Sequence, residues 1–382
     1  MIKLRIFHVC IAVLAISICV RAADTPVITI NKSDMIAIAI EPISGPDGAL
    51  ITRVLESDLE ASGYFTFASP SSASLIAGGS SNGSELDGKV NDHSGRAAVA
   101  GTYNGDARAE AHAFANDIVQ TLTGNRGIAG TKIAFCGTRS GSKEIYTADC
   151  DGSQVQQLTH DRTISVSPAL SPDGQMLAYT GYKSGYADIY LINLSNGSRE
   201  RIIKYPGTNS GAAFSPNGER IACTLSKDGN PELYVCSLNG SAHRLTHSAG
   251  IESSPTWAPN GDDIIYSYDD HGGPQLYRIG SSGGWGQEIA TGYGYCTEPN
   301  WSPDGNKVAF NVREGGDFAI AVMDLHGGGS RVVADGERPC WGPDSRHIIY
   351  SNDGDLYLLD VQTGRKKEVV SGLDASEPTW AR

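Results

Sequence analysis

From residue 131 to the end of the chain, short apolar runs recur with the same punctuation between them. Ser171-Pro172-Asp173-Gly174 is followed by Met176-Leu177-Ala178-Tyr179. Relatives of that turn at 215–218, 258–261, 302–305 and 342–345 are followed by Arg220-Ile221-Ala222-Cys223, Asp263-Ile264-Ile265-Tyr266, Lys307-Val308-Ala309-Phe310 and His347-Ile348-Ile349-Tyr350. Alternation with β-branched and aromatic residues predicts strands. A second run follows each of these: Ile189-Tyr190-Leu191, Leu233-Tyr234-Val235, Leu276-Tyr277-Arg278, Ile320-Ala321-Val322 and Leu356-Tyr357-Leu358, with only Ala321 breaking the tyrosine position. Ahead of each turn stands one large apolar residue, Leu170, Phe214, Trp257, Trp301 or Trp341, and Trp380 repeats the pattern at the C-terminus.

The fourth residues of successive turns lie 44, 43, 44 and 40 positions apart. A fixed period of this size marks a repeat architecture. Turns such as Asp151-Gly152, Asn196-Gly197 and Asn239-Gly240 lead to a fourth run in each unit, and Asn-Gly and Asp-Gly suit tight hairpins because both central residues need positive φ. Four antiparallel strands per unit make a propeller blade. The first set of three later strands, at 131–159, has no innermost strand before it, and the last innermost strand, at 376–381, has nothing after it. Joining them gives one composite blade, six in all, and removes the open edges that invite aggregation.

Upstream, the pattern changes. Residues 35–43 read as a buried strand, 49–62 as a helix with Leu50, Val54, Leu55 and Leu59 on one face, 97–103 as a strand and 107–122 as a helix carrying Ala111, Phe114, Ile118 and Leu122. The expectation is a multi-domain α+β protein: a small N-terminal α/β domain at 23–123, a glycine-rich hinge at 124–130, and a six-bladed β-propeller at 131–382 closed by the C-terminal strand pairing with the first blade. Residues 69–95, rich in Ser, Gly and Asn, are expected to form a flexible loop. Residues 1–22 read as a cleaved secretory signal, with Lys3 and Arg5 before an apolar run at 6–20 and Val20-Arg21-Ala22 as the cleavage site. The apolar run, about 15 residues, is short of the roughly 20 that a spanning helix needs.

The Pro-x-Trp-Ser-Pro-Asp-Gly and Ile-Tyr-x-x-Asp patterns, with Ala111-His112-Ala113-Phe114-Ala115-Asn116-Asp117-Ile118-Val119, Leu122-Thr123-Gly124 and Gly127-Ile128-Ala129 ahead of them, resemble the TolB family of propeller proteins. The resemblance implies a non-enzymatic periplasmic scaffold of the Tol-Pal system, a monomer without cofactor or metal. It would bind a peptidoglycan-associated, Pal-like lipoprotein at the propeller rim and an inner-membrane TolA-like protein through its N-terminus, in support of outer-membrane integrity and cell division. In that family an extra hairpin precedes the last helix of the first domain, and residues 69–95 are expected to lack it.

The resemblance also names candidate contacts. Thr297-Glu298-Pro299 matches one rim loop of the family, one blade later than the family's copy, where Ser253-Ser254-Pro255 stands; Asn209 matches part of another, with Thr208 and Ala212 in place of its histidine and proline. Arg338 and Glu377 fall at the same place in their blades. Capping of strand ends, and a plain ion pair between Glu298 and Arg338, is the alternative role for these residues. Asp24, Val27, Ile28, Ile30 and Asp34 are the expected N-terminal contacts, with a frayed terminus as the alternative.

Charge narrows the partners. The chain carries −13 formal charges, and loss of Lys3, Arg5 and Arg21 with the signal makes this −16, which argues against nucleic acid and anionic membrane surfaces as partners. Gly79-Ser80-Ser81-Asn82-Gly83 matches a nucleophile elbow in letters, but no strand–turn–helix context is expected there. The histidines show no metal spacing and read as solvated or capping groups. Asp149-x-Asp151-Gly152-Ser153 reads as a hairpin turn rather than a calcium loop. Of the cysteines beyond the signal, Cys136 with Cys150 or Cys223 with Cys236 span one hairpin each; if the hairpins share a register, at most one pair is placed for a bridge. A secreted hydrolase or carbohydrate-binding propeller is the alternative function, for which Tyr293 and Tyr295 are the aromatic candidates at the rim.

Overall fold

The computed structural model describes residues 35–381. The candidate N-terminal contacts Asp24 to Asp34 and the signal sequence lie outside these residues.

The N-terminal region begins with β1 (Ile36–Ile40), α1 (Gly48–Ala61), β2 (Phe65–Phe67), β3 (Leu75–Ser81), β4 (Glu85–Asp92), β5 (Ala97–Asn104) and α2 (Ala107–Thr123). Its sheet runs β2-β1-β3-β4-β5, with β1 parallel to β2 and β3 and the rest antiparallel. The two helices pack on one face, burying Ile51, Leu55 and Leu59 with Phe114 and Ile118. Asp106 caps α2 by accepting from the N–H groups of Arg108 and Ala109 at 3.0 and 2.9 Å, and Gly124 ends it in the left-handed conformation, as a helix stop requires.

Residues 69–95 correct the expectation of a loop. They hold β3 and β4 as a hairpin, and the Gly79–Gly83 motif runs from β3 into its turn. The small residues that disguise this hairpin serve packing: a Cβ on Gly88 would lie 3.0 Å from the Phe114 ring.

The connection from α2 is held down rather than free. The Asn116 side chain donates to the Ala129 carbonyl at 3.0 Å and accepts from its N–H at 3.1 Å. Then come β6 (Lys132–Gly137), β7 (Glu144–Asp149) and β8 (Gln156–Gln157), the outer strands of blade I. Blade II is β9 (Ser165–Leu170), β10 (Met176–Gly181), β11 (Asp188–Asn193) and β12 (Arg199–Ile203); blade III is β13 (Asn209–Phe214), β14 (Arg220–Leu225), β15 (Glu232–Ser237) and β16 (Ala242–Arg244). Blade IV is β17 (Ile251–Trp257), β18 (Asp263–Asp269), β19 (Gln275–Gly280) and β20 (Gln287–Glu288); blade V is β21 (Cys296–Trp301), β22 (Lys307–Glu314), β23 (Asp317–Asp324) and β24 (Ser330–Asp335). Blade VI is β25 (Glu337–Trp341), β26 (His347–Asn352), β27 (Asp355–Asp360) and β28 (Lys366–Val370), and β29 (Ser376–Trp380) closes the ring against β6 with Ser376 opposite Cys136 and Trp380 opposite Ile133.

The repeated tryptophans seal neighbouring blades. Trp257 Nε1 donates to the Ala213 carbonyl of blade III at 3.0 Å, while Trp380 Nε1 bonds Thr131 Oγ1 within its own blade at 2.8 Å and turns its ring to blade VI. A Cβ on Gly342 would meet the Trp380 ring at 2.9 Å, so the blade VI turn uses glycine where its equivalents carry Ser or Ala.

The N-terminal region seats on blades VI and I. Arg346, only 4% exposed, donates to the Gly63 carbonyl at 2.8 Å, pairs with Asp360 at 2.6 Å and lies 4.0 Å above the Tyr64 ring. Arg108 pairs with Asp151 at 2.5 Å and Arg365 with Glu60 at 2.9 Å. The Asp149–Ser153 stretch is a hairpin turn, with Asp149 N–H donating to the Ser153 carbonyl at 2.8 Å.

Two histidines depart from the solvated role. His112 and His347 are buried against Asp58 and Asp344, at 2.7 and 2.6 Å. The cysteines among the described residues are buried. The β6–β7 and β14–β15 hairpins share a register, which leaves Cys223 diagonal to Cys236 with their sulfurs 3.6 Å apart. Cys150 instead donates to the Ile128 carbonyl at 3.1 Å.

Candidate functional site

One mouth of the propeller's central channel is built from a repeated irregularity. In every innermost strand the register against its neighbour slips by one residue, between Val166 and Ala169 in blade II and at the matching place in the other five. A single extra residue bends the strand and re-aims the side chains at the slip. The residue at the bulge takes positive φ in all six blades: Ser167, Gly211, Ser254, Glu298, Arg338 and Glu377. In five of the six it is not glycine, and left-handed backbone costs such a residue about 1–2 kcal/mol. Each of those five precedes a proline, which bars the right-handed helical alternative. The exception is consistent: where Ala212 replaces proline, Gly211 stands at the bulge.

Hydrogen bonds between blades compensate part of this strain. Gly211 N–H donates to Thr180 Oγ1 at 3.3 Å, Glu298 N–H to Ser267 Oγ at 3.2 Å and Arg338 N–H to Asn311 Oδ1 at 2.9 Å. The acceptors come from the second strand of the preceding blade, one residue after its aromatic or cysteine. Five of the six copies have a polar residue there, Thr180, Thr224, Ser267, Asn311 and Ser351, all buried. Blade I has Cys136 instead, and there Glu377 turns its carboxylate to the Ser167 N–H at 2.6 Å.

Glu377 is the hub of the charged part of the ring. Beyond Ser167 it pairs with Lys143 at 3.1 Å and Arg338 at 3.4 Å, and Arg338 also pairs with Glu298 at 3.0 Å. Burial works against the Glu377 charge, but Arg338 and Lys143 outweigh it and hold the carboxyl below the ordinary glutamate range. Glu298 has Arg338 as its counter-charge, and there burial wins and raises it. For Arg338 burial opposes the charge and the two glutamates restore it, so it stays a cation. Two acids and two bases thus interlock around the mouth.

Below them the channel encloses about 440 Å³. Pro168, Pro255, Pro299, Pro339 and Pro378 line one end, and Pro172, Pro216, Pro259 and Pro303 the other, with Arg126 of the α2–β6 connection. Among the described residues no group of three or more His, Cys, Asp or Glu is arranged to hold a metal ion.

The structure brings most of the sequence candidates together. Ser253, Ser254, Thr297, Glu298, Arg338 and Glu377 share this mouth, and Glu298 and Glu377 meet through Arg338. Thr208 is exposed beside it, its N–H donating to Ser226 Oγ at 2.8 Å. Asn209 requires correction. It is fully buried, donating to the Ala187 and Tyr205 carbonyls at 2.9 and 2.8 Å and accepting from the Tyr205 N–H at 3.0 Å, so it braces the loop instead of facing a partner. Tyr293 and Tyr295 pack edge-on and tilted against Phe310 and Phe318. Sequence reasoning missed Lys143 as part of the charged network, and the acceptor row Thr180 to Ser351. Its signal was present as a polar residue recurring inside an otherwise apolar strand.

Comparison with known proteins follows the same lines. The family model described as the TolB beta propeller domain matches residues 119–382. A TolB homologue of Chlorobium chlorochromatii is 36% identical over 203 residues, 43% of this chain and 46% of that protein. The Tol-Pal system protein TolB of Geobacter sulfurreducens is 49% identical over 84 residues, 21% of this chain and 19% of that protein. The chain therefore spans about half the length, or less, of the curated relatives it matches. The crystal structure of TolB from Acinetobacter baumannii superposes with a TM-score of 0.82 at 26% identity, covering 91% of this chain and 96% of that one.

Proposed function

Because the chain belongs to the TolB β-propeller family, we propose that it is a non-enzymatic periplasmic scaffold of the Tol-Pal system. In this reading the channel mouth receives a peptidoglycan-associated lipoprotein. The N-terminal segment, with Asp24, Val27, Ile28, Ile30 and Asp34, engages an inner-membrane TolA-like protein. Residues 23–123 and 131–382 act as two domains about a hinge at 124–130, and coupling between the two partners supports outer-membrane integrity and division. A cleaved signal at 1–22 delivers the chain to the periplasm.

The observation that carries the reading is the ring of bulged residues. Backbone strain is retained in a fold when the surroundings hold it in place, and it concentrates at binding sites. Here six-fold repetition places that strain at one mouth, and the Glu298–Arg338–Glu377 chain of ion pairs fills it with groups suited to a polar protein partner. The resemblance of the same loops to the family's lipoprotein-binding loops supports this assignment.

The test is capture from detergent-solubilised envelope by the mature chain. Wild type is compared with Glu298→Lys/Glu377→Lys and with a chain lacking residues 23–34. The reading expects a lipoprotein that is lost with the rim change and an inner-membrane protein that is lost with the truncation. Capture of neither partner by wild type would overturn it.

A further inference from the structure

Six similar blades offer a partner six similar ways to sit on the mouth, so binding in a single orientation needs a feature that breaks the symmetry. Blade II has one. Its β10–β11 loop reads Tyr182-Lys183-Ser184-Gly185-Tyr186, whereas the corresponding loops at 138–142, 226–230, 269–273, 315–316 and 353–354 contain no aromatic residue. Tyr186 is 73% exposed, Ile164 50% and Tyr182 38%. The Tyr182 N–H donates to the Ile164 carbonyl at 3.0 Å, which joins the loop to the residue leading into β9. The result is an apolar ledge beside the ring at Ser167.

The charges around the mouth are divided in the same direction. Beside the ledge, Arg139, Arg162 and Lys183 are exposed. The nearby acids are already engaged: Asp161 by Arg199 and Lys183 at 2.6 and 3.0 Å, and buried Glu144 by the Arg162 N–H at 2.7 Å. Across the mouth Asp270, Glu314, Asp317, Glu337 and Asp353 are exposed, with the cation Arg313 among them, while Asp374 lies on the near side, accepting from Thr138 Oγ1 at 3.0 Å. The rim is thus richer in cations beside the ledge and in acids across the mouth, in a chain that is strongly acidic as a whole.

We propose that the Ile164–Tyr182–Tyr186 ledge is a docking site for an acidic, apolar-tipped segment of the rim partner, and that ledge and charge division together set the partner's rotational register. The proposal rests on the rim reading above. Charge complementarity selects the occupant: a carboxylate-bearing segment is attracted by the basic side and repelled by the acids across the mouth, which is how repulsion confers specificity. Tyrosine suits the contact, because it adds a large rigid apolar face at small entropic cost.

The test is a binding titration of the full mature chain with the soluble domain of the same organism's peptidoglycan-associated lipoprotein, at low and high salt. The double change Ile164→Ser/Tyr186→Ser is expected to weaken binding about tenfold or more, with the unfolding temperature unchanged because both side chains are exposed. Arg162→Glu should weaken binding and reduce its salt dependence, whereas Asp317→Lys removes a repulsion and should not weaken it. Wild-type affinity in the ledge variant, alongside loss in Glu377→Lys, would overturn the ledge and leave the rim reading standing. Binding that survives every one of these changes, or no binding by wild type, would overturn both.

Discussion

Arg346 joins the two halves of the molecule through the Gly63 carbonyl, 2.8 Å from its guanidinium, while the same group holds Asp360 inside blade VI. Burial opposes its charge and Asp360 restores it, so the pair is ionised in the interior. Removing one partner of such a pair leaves an uncompensated buried charge, at a cost of about 3–5 kcal/mol. Arg346→Met should therefore lower the unfolding temperature markedly. Arg346→Met/Asp360→Leu should recover most of that loss, yet still expose the 124–130 connection to limited proteolysis, since the Gly63 contact stays broken. Equal protease resistance in the double variant and wild type would show that Arg346 does not dock the N-terminal region.

Gly63 itself has little room for change. Its φ is +72°, and a Cβ there would lie 2.3 Å from Asp360 Oδ2 and 2.5 Å from Arg346 Nη2. Gly63→Ala should destabilise by about 1–3 kcal/mol through overpacking and strain, measured by chemical denaturation, and faster cleavage of the 124–130 connection should accompany it.

Glu252 predicts a pH dependence. In blades II and III the corresponding residues are Ser165 and Asn209, which give hydrogen bonds to acids at the starts of β7 and β11, Glu144 and Asp188, at 3.5 and 3.4 Å. Glu252 follows the equivalent Glu232, which already binds Arg244 at 2.6 Å, and each glutamate keeps one buried oxygen without a partner. Burial, with Glu232 adding to it against the help of Ser248 and Arg244, pushes the Glu252 carboxyl up to about 7; Tyr266 is the other titratable group facing it. A raised carboxyl means the folded chain holds its proton more tightly than the unfolded one. Stability from this site is present in full below the unfolded pKa and falls as pH rises towards 7. Glu252→Gln should flatten that fall and gain about 1–3 kcal/mol at pH 8; identical pH profiles of unfolding temperature for the two proteins would contradict it.

Asn209 and Thr208 separate structure from surface. Asn209→Ala removes a buried side chain from three backbone contacts and should cost about 1–3 kcal/mol in chemical denaturation. Thr208→Ala, at an exposed site, should leave stability within about 0.5 kcal/mol. The reverse ranking would mean that the loop is not braced as described.

The buried thiols should be inert in the native state. Burial raises Cys136, Cys150 and Cys223 away from the reactive thiolate form, with the Cys236 contact the leading cause at Cys223. Alkylation of the native chain at neutral pH should add no mass at these positions, whereas unfolding should release Cys136, Cys150 and Cys223 as reactive thiols. Rapid native labelling would show that the blades open locally.

Legibility followed the reach of each signal. The period of the Ser-Pro-Asp-Gly turn and its preceding tryptophan foretold six blades and the pairing of β29 with β6, because these are one-dimensional patterns imposed by strand alternation. The β3–β4 hairpin escaped notice because Gly, Ser and Asp interrupt its apolar positions, and one of those glycines, Gly88, is needed to pass under Phe114. His112 and His347 looked like surface groups because their partners, Asp58 and Asp344, reveal nothing in spacing about burial.

What the sequence determined by itself was therefore the repeat: which residues alternate, where each turn falls, and how many blades close the ring. Local sterics and hydrophobic period settle those. Tertiary structure alone decided that the Glu377 carboxylate would accept from the Ser167 N–H beside Cys136, that Arg338 would add Glu377 to the Glu298 partner the sequence already suggested, and that Arg346 would reach Gly63. Those contacts join residues remote in the chain, and their energies depend on distance and burial, which exist only once the ring has closed.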